Sequence, residues 1–163
     1  KFYGGEVAIT FPLVNLTSAL DGFGVTGGVG YTKTRINDSG SGQLQPGSIP
    51  GYSRWVANGT AYFEKWGFNA RGSLRYRSTF LGDFTGFGGS PTRRQALEET
   101  IIDAQIGYDF QPGSALEGLS LYIQGQNLTD ERFASVTNTA SPNEVLDYQI
   151  YGRRFQAGFT FRF

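Results

Sequence analysis

Apolar and polar residues alternate with a period of two along most of this chain, and helical spacing is almost absent. A strand sends successive side chains to opposite faces, so each alternating stretch predicts a strand with one greasy and one polar side. Residues 148–163 show the pattern most plainly. Tyr151, Phe155, Ala157, Phe159, Phe161 and Phe163 fall on one face; Tyr148, Gly152, Arg154, Gln156, Gly158, Thr160 and Arg162 fall on the other. They are read as one terminal strand.

Six earlier stretches repeat the pattern. Val7, Ile9 and Phe11 oppose Glu6, Ala8 and Thr10. Phe23, Val25, Val29 and Tyr31 oppose Thr26, Thr32 and glycines. Trp55, Ala57, Ala61 and Phe63 oppose Arg54, Asn58, Thr60, Tyr62 and Glu64. Phe68, Ala70, Leu74 and Tyr76 oppose Asn69, Arg71, Ser73, Arg75 and Arg77. Ile102, Ala104, Ile106, Tyr108 and Phe110 oppose Asp103, Gln105 and Asp109. Leu119, Leu121 and Ile123 oppose Ser120, Tyr122, Gln124 and Gln126.

The connections alternate as well. Short ones (15–22, 65–67 and 111–118) take turns with long ones (37–50, 81–98 and 129–147). Compact soluble domains use short connections throughout, whereas outer-membrane barrels have short periplasmic turns and longer extracellular loops. The pattern therefore predicts an all-β fold, an antiparallel transmembrane β-barrel wall. Charges deep within strands suit a wet lumen, and aromatics near strand ends suit interface girdles. A soluble β-sandwich also alternates and is the rival. It requires Phe155, Phe159 and Phe161 to be buried against protein.

Composition narrows the chemistry. The 163 residues carry no Cys, Met or His, and Lys plus Arg balance Asp plus Glu at 14 each. Balanced charge gives no basis for nucleic-acid binding. Without His or Cys the usual soft metal and haem ligands, histidine bases and cysteine nucleophiles are lacking. No pair of carboxylates sits in a glycosidase-like motif. Neither an enzyme nor a cofactor is expected. No window reaches the ~18–20 apolar residues of a transmembrane helix, a test to which barrel strands are blind.

Specific residues then point to a family. Asn127-Leu128-Thr129-Asp130-Glu131 follows the strand Leu119 to Ile123. Tyr151-Gly152-Arg153-Arg154-Phe155 comes next, and Gly158-Phe159-Thr160-Phe161-Arg162-Phe163 ends the chain. This succession resembles the closing strands of TonB-dependent outer-membrane receptors. Leu20-Asp21-Gly22-Phe23, Tyr62-Phe63-Glu64-Lys65-Trp66-Gly67-Phe68, and Arg71, Arg75-Tyr76-Arg77 and Phe80 continue the likeness upstream.

The resemblance implies a barrel of about 22 strands around a plug. Of it this chain would be one segment, its last seven or so strands, with plug, TonB-contacting box and most of the wall elsewhere. The chain opens inside strand-like sequence, Lys1-Phe2-Tyr3, which fits such a segment. The family imports scarce solutes such as siderophore-bound iron, cobalamin or oligosaccharides, coupled to TonB through the plug. Expected partners are outer-membrane lipid, the remainder of the barrel and the plug. Gln156, Gly158, Phe161 and Phe163 resemble in register the terminal signal read by the barrel-assembly machinery; an ordinary amphipathic strand is the alternative.

Asn127, Leu128, Thr129, Asp130, Gly152 and Arg153 are the family's motif residues. Asn69, Arg71, Arg75, Arg77, Asp103, Asp109, Gln124 and Gln126 are the lumen-facing polar candidates, for plug, solute or cross-strand pairing. A small complete barrel of eight strands, with a structural or adhesion role, stays open as a rival.

Two motifs are set aside. Gly22 to Gly27 matches the letters of a dinucleotide fingerprint, but a strand-like run rather than a helix follows it. Its inner-face glycines instead suit close approach by a plug or a neighbouring side chain. The three Asn-X-Thr sequons at Asn15, Asn58 and Asn127 read as turn and strand-end asparagines.

Overall fold

The computed structural model describes residues 1–35, 49–82, 94–137 and 145–162. Among these residues eleven strands run in order: β1 (Phe2–Pro12), β2 (Phe23–Thr34), β3 (Trp55–Lys65), β4 (Phe68–Arg77), β5 (Phe80–Leu81), β6 (Gln95–Ala96), β7 (Glu99–Asp109), β8 (Leu119–Gln126), β9 (Arg132–Val136), β10 (Val145–Ile150) and β11 (Arg154–Phe161). Seven of them form one sheet in the order β1-β2-β3-β4-β7-β8-β11, and every neighbouring pair is antiparallel. These are the seven expected strands. Among the described residues, β1 and β11 are the two open edges.

The short connections pass through left-handed or 3-10 backbone. Trp66 (φ 55°) and Gly67 (φ 80°) make a two-residue hairpin between the paired ends Lys65 and Phe68. Positive φ at both central residues matches the twist of the flanking strands. Between β1 and β2 lie two short 3-10 turns, Leu13–Asn15 and Ser18–Leu20. Between β7 and β8, Gly113 and Gly118 both have φ 84°. A Cβ on Gly118 would collide with the Arg162 carbonyl, which ties this turn to the end of β11.

Two sequence expectations need correction. The long connections 81–98 and 129–147 are not loops throughout. They contain β6 and β9 and overlap β5 and β10, and these four strands form a second sheet in the order β10-β9-β6-β5. That order copies β11-β8-β7-β4, so two hairpins of the large sheet continue past a break. The segment 148–163, expected as one strand, is likewise split. Gly152 turns left-handed (φ 68°), β10 pairs with β9, and β11 pairs with β8. Alternation persists across the break because a single left-handed residue redirects a strand without removing its period.

Register aligns the polar sides of all seven strands onto one face. Thr10 pairs with Thr26, Thr26 with Thr60, Thr60 with Ser73, and Ser73 with Asp103. The other face is apolar and uncovered. Val7 is 71% exposed, Ile123 64%, Phe155 67% and Phe159 74%. The burial that a sandwich requires for Phe155, Phe159 and Phe161 does not occur. Buried hydrophobics among the described residues, Ala96 and Val136, belong to the small sheet.

Candidate functional site: the two faces of the sheet

The apolar face carries aromatic rows at both ends. Tyr31 and Trp55 are cross-strand partners with rings 4.8 Å apart, and Tyr3 and Tyr76 stand towards the same end. At the short-turn end Phe23 packs on Phe63 at 4.4 Å, Phe63 on Phe68 at 5.9 Å, and Phe68 pairs with Tyr108. Tyr31 and Phe23, Trp55 and Phe63, and Tyr76 and Phe68 are each eight residues apart. At ~3.3 Å per residue the rows lie about 26 Å apart along a strand. A tilt of ~40° reduces that to about 20 Å, comparable to the ~25 Å apolar band of an outer-membrane barrel.

The polar face is organised as cross-strand rows. Tyr62, Arg71, Gln105, Gln124 and Gln156 form one, each paired with the next. Arg71 reaches Glu64 at 4.0 Å, with both side chains well exposed. Asn69 donates to Asp109 Oδ2 at 3.3 Å. Arg75 stands 3.6 Å from Asp103, the cross-strand charge pairing expected for these strands. Gln126 pairs with Arg154.

Arg77 makes contacts beyond its own strand. Its Nε donates to Ser53 Oγ at 2.7 Å, its Nη2 donates to the Gly51 carbonyl at 2.9 Å, and its guanidinium lies 3.6 Å over the Phe80 ring. It ties the approach to β3 onto the end of β4, beside a concavity of about 460 Å3 lined by Tyr52, Arg54, Phe80 and Glu98.

The Asn127 motif is a structural knot. Asn127 has φ 52° and Asp130 φ 55°. The Asn127 backbone N–H donates to Asp103 Oδ1 at 2.8 Å. Its side-chain Nδ2 donates to the carbonyls of Glu131 and Gly152, both at 3.0 Å, while its Oδ1 accepts from the Glu131 N–H at 2.8 Å. Leu128 N donates to the Ile102 carbonyl at 2.7 Å, Thr129 Oγ1 donates to the Thr100 carbonyl at 2.9 Å, and Arg153 Nε donates to the Leu128 carbonyl at 3.0 Å. These bonds join β7, β8 and the β10–β11 break, where the two sheets part.

Asp103 and Asn127 came from separate sequence arguments, and the fold brings them into one constellation. Around them lies a concavity of about 350 Å3 lined by Arg75, Glu99, Glu131, Arg132, Tyr151 and Arg154 among others. Above it the Tyr148 hydroxyl accepts from Arg132 at 2.6 Å, a contact that raises the guanidinium above its ordinary value.

The terminal strand adds a contact that sequence reasoning did not single out. Gly158 pairs with Tyr122, and a Cβ there would stand 2.5 Å from the Tyr122 hydroxyl. Gly24 lies under Tyr62 in the same way. These inner-face glycines do admit a neighbouring side chain. A tyrosine on an otherwise polar face was the available signal. Gln156 and Gly158 lie on the polar face and Phe161 on the apolar one; Phe163 lies outside the described residues.

No curated protein and no solved structure matches the chain. The family model of the TonB dependent receptor-like β-barrel matches residues 1–128, from β1 through β8 to Leu128. With that match over most of its length, and with the two-faced antiparallel sheet, this chain belongs to the TonB-dependent receptor β-barrel family.

Proposed function

We propose that this chain is a stretch of wall in an outer-membrane transporter of a Gram-negative bacterium, one that brings a scarce solute into the periplasm. The observation that carries this reading is the pair of faces. The apolar face is uncovered and bounded by aromatic rows about 20 Å apart, as hydrocarbon between two interfaces demands. The opposite face carries the polar and charged side chains of every strand.

On this reading the polar face lines a lumen. Asn69, Arg71, Gln105, Gln124 and Gln156 offer hydrogen bonds and charge to a plug or a passing solute. The small sheet rises above the outer leaflet. The remaining wall closes the barrel against the free edges of β1 and β11, and the plug couples transport to the TonB complex. Gln156, Gly158 and Phe161 serve as the assembly signal together with Phe163. The solute class, siderophore-bound iron, cobalamin or oligosaccharide, stands on the family alone, and the chain's own role is passage rather than catalysis.

Spin labels test the faces. The chain has no cysteine, so each introduced cysteine is unique within it. In the full-length protein in lipid, labels at Ile9, Leu74, Ile123 and Phe159 are expected to collide with dissolved oxygen, while labels at Thr60, Gln105 and Gln124 collide with a water-soluble nickel chelate. Labels on the greasy rows that meet neither reagent would mean a protein interior, and the reading would fail.

A further inference from the structure

The ladder between β1 and β2 continues one step beyond Phe2↔Thr34, because Arg35 N donates to the Lys1 carbonyl at 2.8 Å. Lys1 and Arg35 therefore stand opposite each other, and Lys33 stands opposite Tyr3. By the period of two, all four side chains share the face of Val7, Ile9, Val29 and Tyr31. Three cations thus crown the apolar face just past its aromatic row, at the end away from the short turns.

Like charges placed directly opposite on a ladder are destabilising. Lys1, Lys33 and Arg35 are all exposed, and among the described residues none is in an ion pair with a carboxylate. Lys33 Nζ lies 5.8 Å from the centre of the Tyr3 ring. The opposite end of the same face is managed differently. There Lys65, also just past an aromatic row, is paired with Asp21 at 3.0 Å and lies 4.4 Å over Trp66. Among the described residues, then, the outward cation is paired with a carboxylate at one rim and three cations have no such pair at the other.

We propose that Lys1, Lys33 and Arg35 form a docking site for a membrane lipid with a phosphate-bearing headgroup, whose acyl chains lie along Val7, Ile9 and Val29. Lys33 is two residues beyond Tyr31, about 7 Å further along the strand. That step carries it from the aromatic row into headgroup depth, where basic side chains attract anionic lipid. The site rests on the reading that the apolar face meets lipid.

The full-length protein, purified in a neutral detergent, is titrated by native mass spectrometry with phosphatidic acid and with a neutral galactolipid of the same acyl chains. Phosphatidic acid is expected to bind more tightly. The K33Q/R35Q variant is expected to lose about fivefold of that affinity for each cation removed, with galactolipid binding unchanged. K33R/R35K is expected to retain the affinity. Should the double variant fail to fold, Lys33→Gln alone is expected to lose about fivefold.

Equal phosphatidic acid affinity in the glutamine variants overturns the site. So does displacement of the lipid by millimolar inorganic phosphate, which would mark a small-anion site. Failure of the native protein to bind either lipid would instead count against the lipid-facing reading itself.

Discussion

The backbone N–H of Asn127 points at Asp103, with 2.8 Å between nitrogen and Oδ1, and this contact links the end of β8 to the middle of its neighbour β7. It gives both residues a structural occupation. Asp103 is held from two sides, by the Asn127 N–H and by Arg75 at 3.6 Å, so it is not a free lumenal carboxylate. Asn127, in a left-handed backbone, uses its amide to satisfy three main-chain groups across 25 residues of chain. Asparagine tolerates that conformation better than most side chains.

Asn127→Ala removes the three bonds from the side chain to the main chain, together with the one from Thr129 Oγ1, and puts alanine at positive φ. At ~0.5–1.5 kcal/mol per net hydrogen bond, a loss of about 2–4 kcal/mol is expected. Asn127→Asp keeps the acceptor for Glu131 N–H but not the two donors, and should fall between alanine and native. Thermal unfolding of the full-length protein in detergent measures the order; indistinguishable variants would remove the knot from the stability account.

The Arg75–Asp103 pair is expected to contribute little by its charge. The Arg75 side chain is 66% exposed, and exposed pairs are worth ~0–1 kcal/mol. Asp103→Asn preserves an acceptor for Asn127 N–H and should cost about 1 kcal/mol or less; Asp103→Leu, which leaves that N–H unpaired, should cost about 1–3 kcal/mol. A double-mutant cycle with Arg75→Gln should give a coupling below ~1 kcal/mol that shrinks as salt rises. A large, salt-independent coupling would show that the ion pair governs this junction.

Gly158 separates two roles for the terminal signal. Its Cβ position is occupied by the Tyr122 ring, so Gly158→Ala is expected to lower folding yield in purified lipid, with no assembly machinery present. In a Tyr122→Ala background the same substitution should cost almost nothing. A defect confined to cells and independent of Tyr122 would assign the glycine to recognition by the machinery instead.

Ala104 sits midway between the aromatic rows, paired with Gly72 on the apolar face. Ala104→Arg is expected to cost about 2–4 kcal/mol of stability in lipid, the penalty for arginine near the bilayer midplane. Gln105→Arg, one residue away on the polar face, should change stability by under ~0.5 kcal/mol. Equal effects at the two positions would contradict the assignment of the faces.

Much of the molecule was legible in the order of residues. Alternation is a local property, because the pleat sets each side chain's face without reference to any partner. The seven long strands and both faces could be taken from alternation such as that of Leu74 beside Arg75. The aromatic rows were visible too, since Trp55 and Phe63 are both near the ends of one strand. Belonging to the family was visible in motifs that survive as words.

The rest depended on contacts between residues far apart in the chain. Which arginine pairs with which aspartate is settled by register, and register is set by turns such as Trp66-Gly67 rather than by alternation. Left-handed Gly152 splits a run that alternates without interruption, and sends β10 and β11 to different sheets. Strands as short as β5 and β6 carry too few residues to show a period; only pairing, β5 with β6 and β6 with β9, brings them into being. The greasy and wet sides of this wall are written residue by residue, whereas the knot of Asn127 and Asp103 exists because folding closes 24 residues of chain onto one hydrogen bond.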